Sequence, residues 1–275
     1  MSLFELLAGD ASDLHETIAA LSRYIERLTP EAITDPQVRD LVHSALLQRG
    51  TASLLLKDDT AAQADFQQII AGQSTDTLRL SAHLLLGAVY AEGGQDEQAL
   101  SCWTDALEAF EQSHQAGRSH HSQELAQLYL YRGMMYGRLL RYQEAIDDCD
   151  RALEYAPGEA EALAVRGIAR AFLGELDLAL ADCLQAVERT PQVDHLSRLG
   201  EVYLLRKEYR QACEVLDRAT ALDPTNERVA LQMKRALGGM VLEIIHTEAP
   251  ASQTPDRETS AEPPVSQPDT EKSAL

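Results

Sequence analysis

Five glycines keep the same company along this chain, and that recurrence constrains the fold more than any other feature. The clearest copy runs from Ala126 to Glu159, AQLYLYRGMMYGRLLRYQEAIDDCDRALEYAPGE. Tyr129, Gly133 and Tyr136 mark its first half, and Ala145, Cys149, Ala152 and Leu153 its second. Both sets follow the three-and-four spacing of a helix face. Pro157 then ends the second half, because it has no N–H with which to continue the ladder. The product is a helix–turn–helix unit of 34 residues.

The same skeleton recurs at Gly50, Gly87, Gly167 and Gly200, each preceded by Arg or Leu as Arg132 precedes Gly133. Twelve residues after each glycine stands an alanine: Ala62, Ala99, Ala145, Ala179 and Ala212. Four residues further on comes a side chain of middling size: Phe66, Trp103, Cys149, Cys183 and Leu216. Prolines close the last three copies at Pro157, Pro191 and Pro224. A glycine inside a helix costs about 1 kcal/mol against alanine, so five in register demand a packing reason. The expectation is close approach of two backbones, glycine on the first helix against alanine on the second.

A second pattern supports the register. Arg49, Arg132 and Arg166 precede the glycine in three copies, and sixteen residues after each stands an aspartate: Asp65, Asp148 and Asp182. Where leucine replaces arginine, at Leu86 and Leu199, the later position holds Cys102 and Val215. Charge accompanies charge and apolar accompanies apolar. An antiparallel hairpin would bring these positions level, so the spacing predicts an ion pair inside three of the units.

These residues resemble the tetratricopeptide repeat, whose signature carries glycine, aromatic, alanine and proline positions at the same spacing. The resemblance covers about 35–226, with 227–246 as a capping helix. It implies an all-α fold: a right-handed superhelical solenoid of antiparallel helix pairs, with a disordered C-terminal tail. The expected organisation is a helical segment over 1–34 and five helix pairs plus cap over 35–246. The repeats fall near 43–76, 80–113, 126–159, 160–192 and 193–226, and the tail over 247–275. Such an array is quasi-one-dimensional, each unit packing on its neighbours.

Flanking segments are read from local signals. Leu14, Ile18, Leu21, Ile25 and Leu28 give one apolar face to a helix from about Ala11, and Asp35-Pro36 starts the next as cap and first helical residue. Met1–Asp10 lacks the basic start and apolar run of a secretory signal. No stretch reaches the length of a membrane span. An insert, Ser113–Gln123, carries His114, His120 and His121 but no Cys, Asp or Glu at ligand spacing, so it is expected to be a solvated loop or helix extension rather than a metal site. The last 29 residues hold five of the ten prolines and no aromatic, too little apolar surface to offset chain entropy.

The formal charge is −20 and only four residues are lysine, which argues against nucleic acid and anionic membrane as direct partners. Acidity suits partners with basic segments or simply solubility. Cys102, Cys149, Cys183 and Cys213 all fall in second helices without CxxC spacing and are expected to be small core side chains. Free thiols fit a reducing cytoplasm. No nucleophile elbow, zinc motif, Walker loop or dinucleotide fingerprint is present, and no cofactor or enzymatic activity is expected. The adjacent acids Asp147-Asp148 and Asp58-Asp59 are read as a helix face and a turn.

The resemblance also implies where binding would occur. In such arrays the first helix of each unit lines a concave groove. Carried onto this sequence, that face holds Leu47, Thr51, Leu54, Leu55, Leu84, Ala88 and Glu92 in the first two units. It continues through Leu130, Met134, Gly137 and Arg138, then Ala164, Ile168, Ala171 and Phe172, and ends on Ser197, Glu201, Leu204 and Leu205. Some members of the family clamp a chaperone's carboxylate end with lysine and asparagine. Here the residue after each glycine is Thr51, Ala88, Met134, Ile168 or Glu201, and the groove holds no lysine, which argues against that clamp. The expected function is a non-enzymatic scaffold, adaptor or chaperone-like protein that takes a partner's peptide or helix in an apolar groove. The rival is a self-assembling structural component, a homo-oligomer paired through a terminal helix.

Overall fold

The computed structural model describes residues 11–28, 34–113 and 122–248. The three histidines of the insert and the tail beyond Glu248 lie outside the described residues, as do Met1–Asp10. Among the described residues all regular structure is helical, in twelve helices. They are α1 (Ala11–Glu26), α2 (Pro36–Leu55), α3 (Asp59–Ala71), α4 (Asp76–Glu92), α5 (Asp96–Ser113) and α6 (Ser122–Arg138). Then follow α7 (Tyr142–Tyr155), α8 (Ala160–Phe172), α9 (Leu176–Arg189), α10 (Val193–Leu205), α11 (Tyr209–Leu222) and α12 (Glu227–Glu248).

Each helix packs on the next in sequence, and the even-numbered helices from α2 to α12 also touch one another in series. They form an inner layer, with α3, α5, α7, α9 and α11 outside it. Chain entry is fixed locally. Asp35 Oδ1 accepts from the Gln37 amide at 2.8 Å ahead of Pro36, and Leu14 and Ile18 seat α1 on Ala52 and Leu56 of the first pair.

The glycines do what the sequence requires, with one correction to the contact. All five partner alanines are fully buried, yet the glycine chiefly makes room for the side chain one turn beyond. A Cβ at Gly50 would lie 2.7 Å from the Phe66 ring, at Gly167 2.6 Å from Cys183 Sγ, and at Gly200 2.6 Å from Leu216. Gly87 likewise receives the Trp103 indole. The alanine contributes through its backbone: the Ala179 carbonyl stands 3.1 Å from the same point at Gly167.

Seven residues after each glycine the backbone turns left-handed, at Lys57 (φ 61), Gly94 (φ 72), Leu140 (φ 60), Gly174 (φ 88) and Lys207 (φ 61). The amide after each of these reaches back to the first helix's last turn, for example Arg141 N to Tyr136 O at 2.9 Å and Glu175 N to Arg170 O at 2.9 Å. This closes the first helix and launches the second. Glycine adopts that conformation freely, whereas a leucine is strained there.

The expected ion pairs form in all three units. Each is bidentate: Nε and Nη2 of Arg49 donate to Asp65 at 2.9 and 2.6 Å, those of Arg132 to Asp148 at 2.7 Å each, and those of Arg166 to Asp182 at 2.9 and 2.7 Å. The third nitrogen of each arginine reaches the preceding element, donating to Ser22, Thr104 and Asp150 respectively. One side chain therefore ties both the two helices of a unit and one unit to the next. Burial alone would push the Arg166 pKa down, but Asp182 and Asp150 push it well above its ordinary value, so it stays charged. In the two leucine units, Leu86 and Cys102 share one buried apolar cluster, and Leu199 and Val215 share another.

The four cysteines are free; Cys102, Cys149 and Cys183 are buried as expected, whereas Cys213 is only partly buried, packed against the core rather than within it. Burial pushes Cys102 and Cys183 up to about 12 and Cys149 higher still, which keeps these thiols protonated and unreactive. The tempting acid pairs resolve as structure. Asp58 caps α3, accepting from the Ala61 amide at 3.1 Å, and Asp147 accepts from Gln143 at 3.1 Å.

Candidate functional site

Among the described residues the inner layer holds a cleft of about 510 Å³ between α6, α8, α10 and α12. Its floor is apolar, from Met134 on α6 and Val165, Ile168 and Ala169 on α8. Phe172 ends α8 with half its surface exposed (50%) and stacks on Tyr142 of α7, ring centroids 5.0 Å apart and planes 16° from parallel. Tyr142 thus backs that ring at the mouth. Leu140 completes that corner, exposed on its left-handed turn.

The far wall is polar and ordered. Ser197 on α10 donates to Gln232 on α12 at 2.7 Å, and Gln232 returns a bond to the Ser197 carbonyl at 3.2 Å. Glu201 accepts from Gln232 at 3.1 Å and from Arg235 at 2.9 and 3.0 Å. Four arginines line the cleft: Arg138, Arg198, Arg228 and Arg235. Each is answered by a carboxylate, Asp96 at 3.1 Å, Glu161 at 2.7 Å, Asp194, and Glu201 at 2.9 Å respectively. The sequence places arginine and glutamate only at the edges of the groove; in the structure they form a full wall. Nothing in this arrangement pairs a nucleophile with a base, and the carboxylates are occupied by guanidinium.

One histidine stands behind that wall. His195 is buried, with Nε2 3.0 Å from Glu161 Oε2 and Nδ1 2.7 Å from the Thr190 carbonyl. The hydrogen bond to Glu161 raises its pKa above the ordinary histidine value. Burial pushes Glu161 up, but His195 and Arg198 outweigh that and hold it below the usual glutamate range.

Of the groove residues expected from the sequence, Met134, Gly137, Arg138, Ile168, Phe172, Ser197 and Glu201 converge on this cleft. The others lie elsewhere. Leu47 and Leu54 pack part-buried on the core of the first unit, and Leu84 on that of the second. Ala88 is half-buried outside the cleft. Leu130 is 7% exposed and belongs to the core itself. Leu205 packs on the core around Leu199. Met134 also rests against core residues, so it is floor more than anchor. Sequence reasoning missed Leu140, Tyr142 and the α12 wall. The one available signal was Leu140, a large apolar residue seven positions after Gly133 where two other copies hold glycine.

This geometry can be set beside known proteins. No protein-family model matches the sequence, and no characterised protein matches it by sequence. Solved structures do match. YrrB, described as a TPR protein with an unusual peptide-binding site, aligns at 20% identity and a TM-score of 0.53 over 78% of this chain and 98% of its own. A thermophilic TPR protein of Thermus thermophilus aligns at 20% identity and 0.54 over 71% of this chain and 98% of its own. The fold is that of the tetratricopeptide repeat. A tetratricopeptide repeat protein of Parabacteroides merdae agrees, at 18% identity and 0.54 over 76% of this chain and 80% of its own. Five helix pairs, α2–α3 to α10–α11, are followed by α12. Among the described residues, no helix is long and apolar enough to cross a membrane.

Proposed function

We propose that this chain is a non-enzymatic interaction scaffold that takes a peptide or short helix of a partner protein in the cleft between α6, α8, α10 and α12. The observation that carries the reading is Phe172: half exposed, backed by Tyr142, and set over an apolar floor on the inner face. An exposed aromatic beside a cleft is the kind of anchor that dominates binding at an interface centre. That YrrB, a protein of the same fold, is described as having a peptide-binding site supports this reading. The arginine–carboxylate wall supplies fixed polar groups that orient a bound segment without contributing much affinity, since each charge already has its partner. The inert, free thiols suit a reducing compartment such as the cytoplasm.

A random peptide library displayed on phage and selected against the full chain would test this. Peptides that survive should carry apolar anchors and should lose binding to Phe172→Glu. Because Phe172 is half exposed, that variant is expected to keep the far-UV circular dichroism and melting temperature of the parent. Selected peptides that bind Phe172→Glu as well as the parent would move the binding surface off this cleft.

A further inference from the structure

The inner layer ends on α12, and among the described residues α12 is a first helix that has no second. Its register is fixed by ion pairs to α10 at a spacing of 34 residues, Asp194 to Arg228 and Glu201 to Arg235. The same spacing matches Val202 with Ala236, both fully buried. It also sets Lys234 where α10 has Gly200, the residue that receives Leu216 of its own second helix. The face of α12 around Lys234 is therefore the one that every preceding unit covers with a partner helix. On that face Leu237, Val241 and Ile245 stand four apart in one stripe, exposed by 45%, 52% and 57%. A Cβ at Gly238 beside them would meet nothing within 4 Å.

Neither the other described helices nor the C-terminal segment suits that face. Helices α1 to α11 are engaged with their neighbours. Residues 249–275 carry five prolines, and Val265 and Leu275 are their only large apolar side chains, so that segment has no apolar-periodic stretch to lay along the stripe. Charge permits self-contact here: although the chain carries −20, in α12 Arg228, Lys234 and Arg235 balance Glu227, Glu243 and Glu248. Two α12 helices can therefore meet without net like-charge repulsion between them.

We propose that a second copy of this chain supplies the missing helix, the two α12 helices pairing antiparallel about Val241. A two-fold axis there sets Val241 against itself and Leu237 of each copy against Ile245 of the other, with Gly238 leaving room for close approach. The stripe is self-complementary in this orientation, which is also the orientation of every helix pair in the solenoid. To be specific, such a pairing has to bury about 1,000 Å², the size at which specific interfaces begin. The contact is isologous and closes as a dimer.

Sedimentation velocity on the full chain over a range of concentrations tests it. The parent is expected to sediment as a dimer that dissociates on dilution, and Val241→Glu as a monomer with unchanged circular dichroism. A parent that stays monomeric at the highest concentration overturns the proposal and leaves the stripe to residues 1–10 or to another protein. A dimer that survives Val241→Glu overturns it too, placing self-contact on another surface. Cysteine variants give a second arm. Under mild oxidation Val241→Cys should form a disulfide-linked dimer, while Leu237→Cys should not, its counterpart lying about 12 Å away along the axis. Equal cross-linking of both, or of neither, contradicts antiparallel pairing about Val241.

Discussion

Two kinds of unit make up this solenoid, and they solve one geometric problem with opposite chemistry. In the units built on Gly50, Gly133 and Gly167, the level positions across the hairpin hold a bidentate arginine–aspartate pair. In those built on Gly87 and Gly200 they hold Leu86 with Cys102 and Leu199 with Val215, packed in the core. The backbone is the same in both, down to the left-handed turn seven residues after each glycine. What the fold requires is that both positions be filled by matching partners; whether they carry charge is secondary. The difference lies in how units are tied together. An arginine's third nitrogen reaches the preceding element, whereas the last unit is tied to its neighbour through Glu161, which His195 and Arg198 share.

The largest effect should come from mixing the two solutions. Asp148→Val leaves Arg132 part-buried without its carboxylate and is expected to cost about 3–5 kcal/mol in chemical denaturation. Adding Arg132→Leu, which recreates the chemistry of the Gly200 unit, should recover most of that loss, because a matched apolar pair of similar volume replaces an ion pair at little net cost. If the double variant is no more stable than Asp148→Val, the two chemistries are not equivalent and the comparison fails.

A smaller effect should separate the ties by pH. His195 gains its partner on folding, so its pKa is raised. The stability it contributes is fully present below the unfolded histidine value, about 6.5, and is lost as pH rises through the folded value. His195→Gln should therefore be most destabilised relative to the parent in mildly acid solution, with the gap closing as pH rises. Asp148 holds the Arg132 guanidinium above its ordinary value against the pull of burial, so Arg132 stays charged throughout this range and does not follow the histidine. A His195→Gln deficit that grows with pH would contradict the assignment.

The smallest effect concerns Leu140. Its backbone sits where Gly94 and Gly174 sit in neighbouring units, and its side chain is largely exposed. Leu140→Gly should relieve the turn and raise the melting temperature, by an amount corresponding to about 1 kcal/mol or less. The same change should weaken binding of selected peptides, since Leu140 lines the cleft mouth. A variant neither more stable nor weaker in binding would mean that the strain serves nothing.

The fold was legible because its determinants are local and recur. Glycine, alanine and the residue sixteen after each arginine or leucine report hairpin geometry within a single unit, and five copies correct one another. The cleft was only half legible. Met134, Ile168 and Phe172 follow from which face of a first helix looks inward, but the far wall depends on how units curve against one another, and no single-unit pattern encodes curvature. Leu130 shows the converse limit: apolar spacing puts it on the inner face, while packing against the core around Leu128 and Tyr129 buries it. The α12 wall escaped notice because a cap carries no repeat signature of its own.

The central claim is that binding occurs on the inner layer. Hydrogen exchange on the full chain, with and without a selected peptide, tests it most directly. The account predicts added protection in the last turns of α6 and α8, around Arg138 and Phe172, and along α10 and α12 near Glu201 and Leu231, with α7, α9 and α11 beyond their first turns unchanged. Protection confined to those outer helices, with the inner layer exchanging as before, would contradict it.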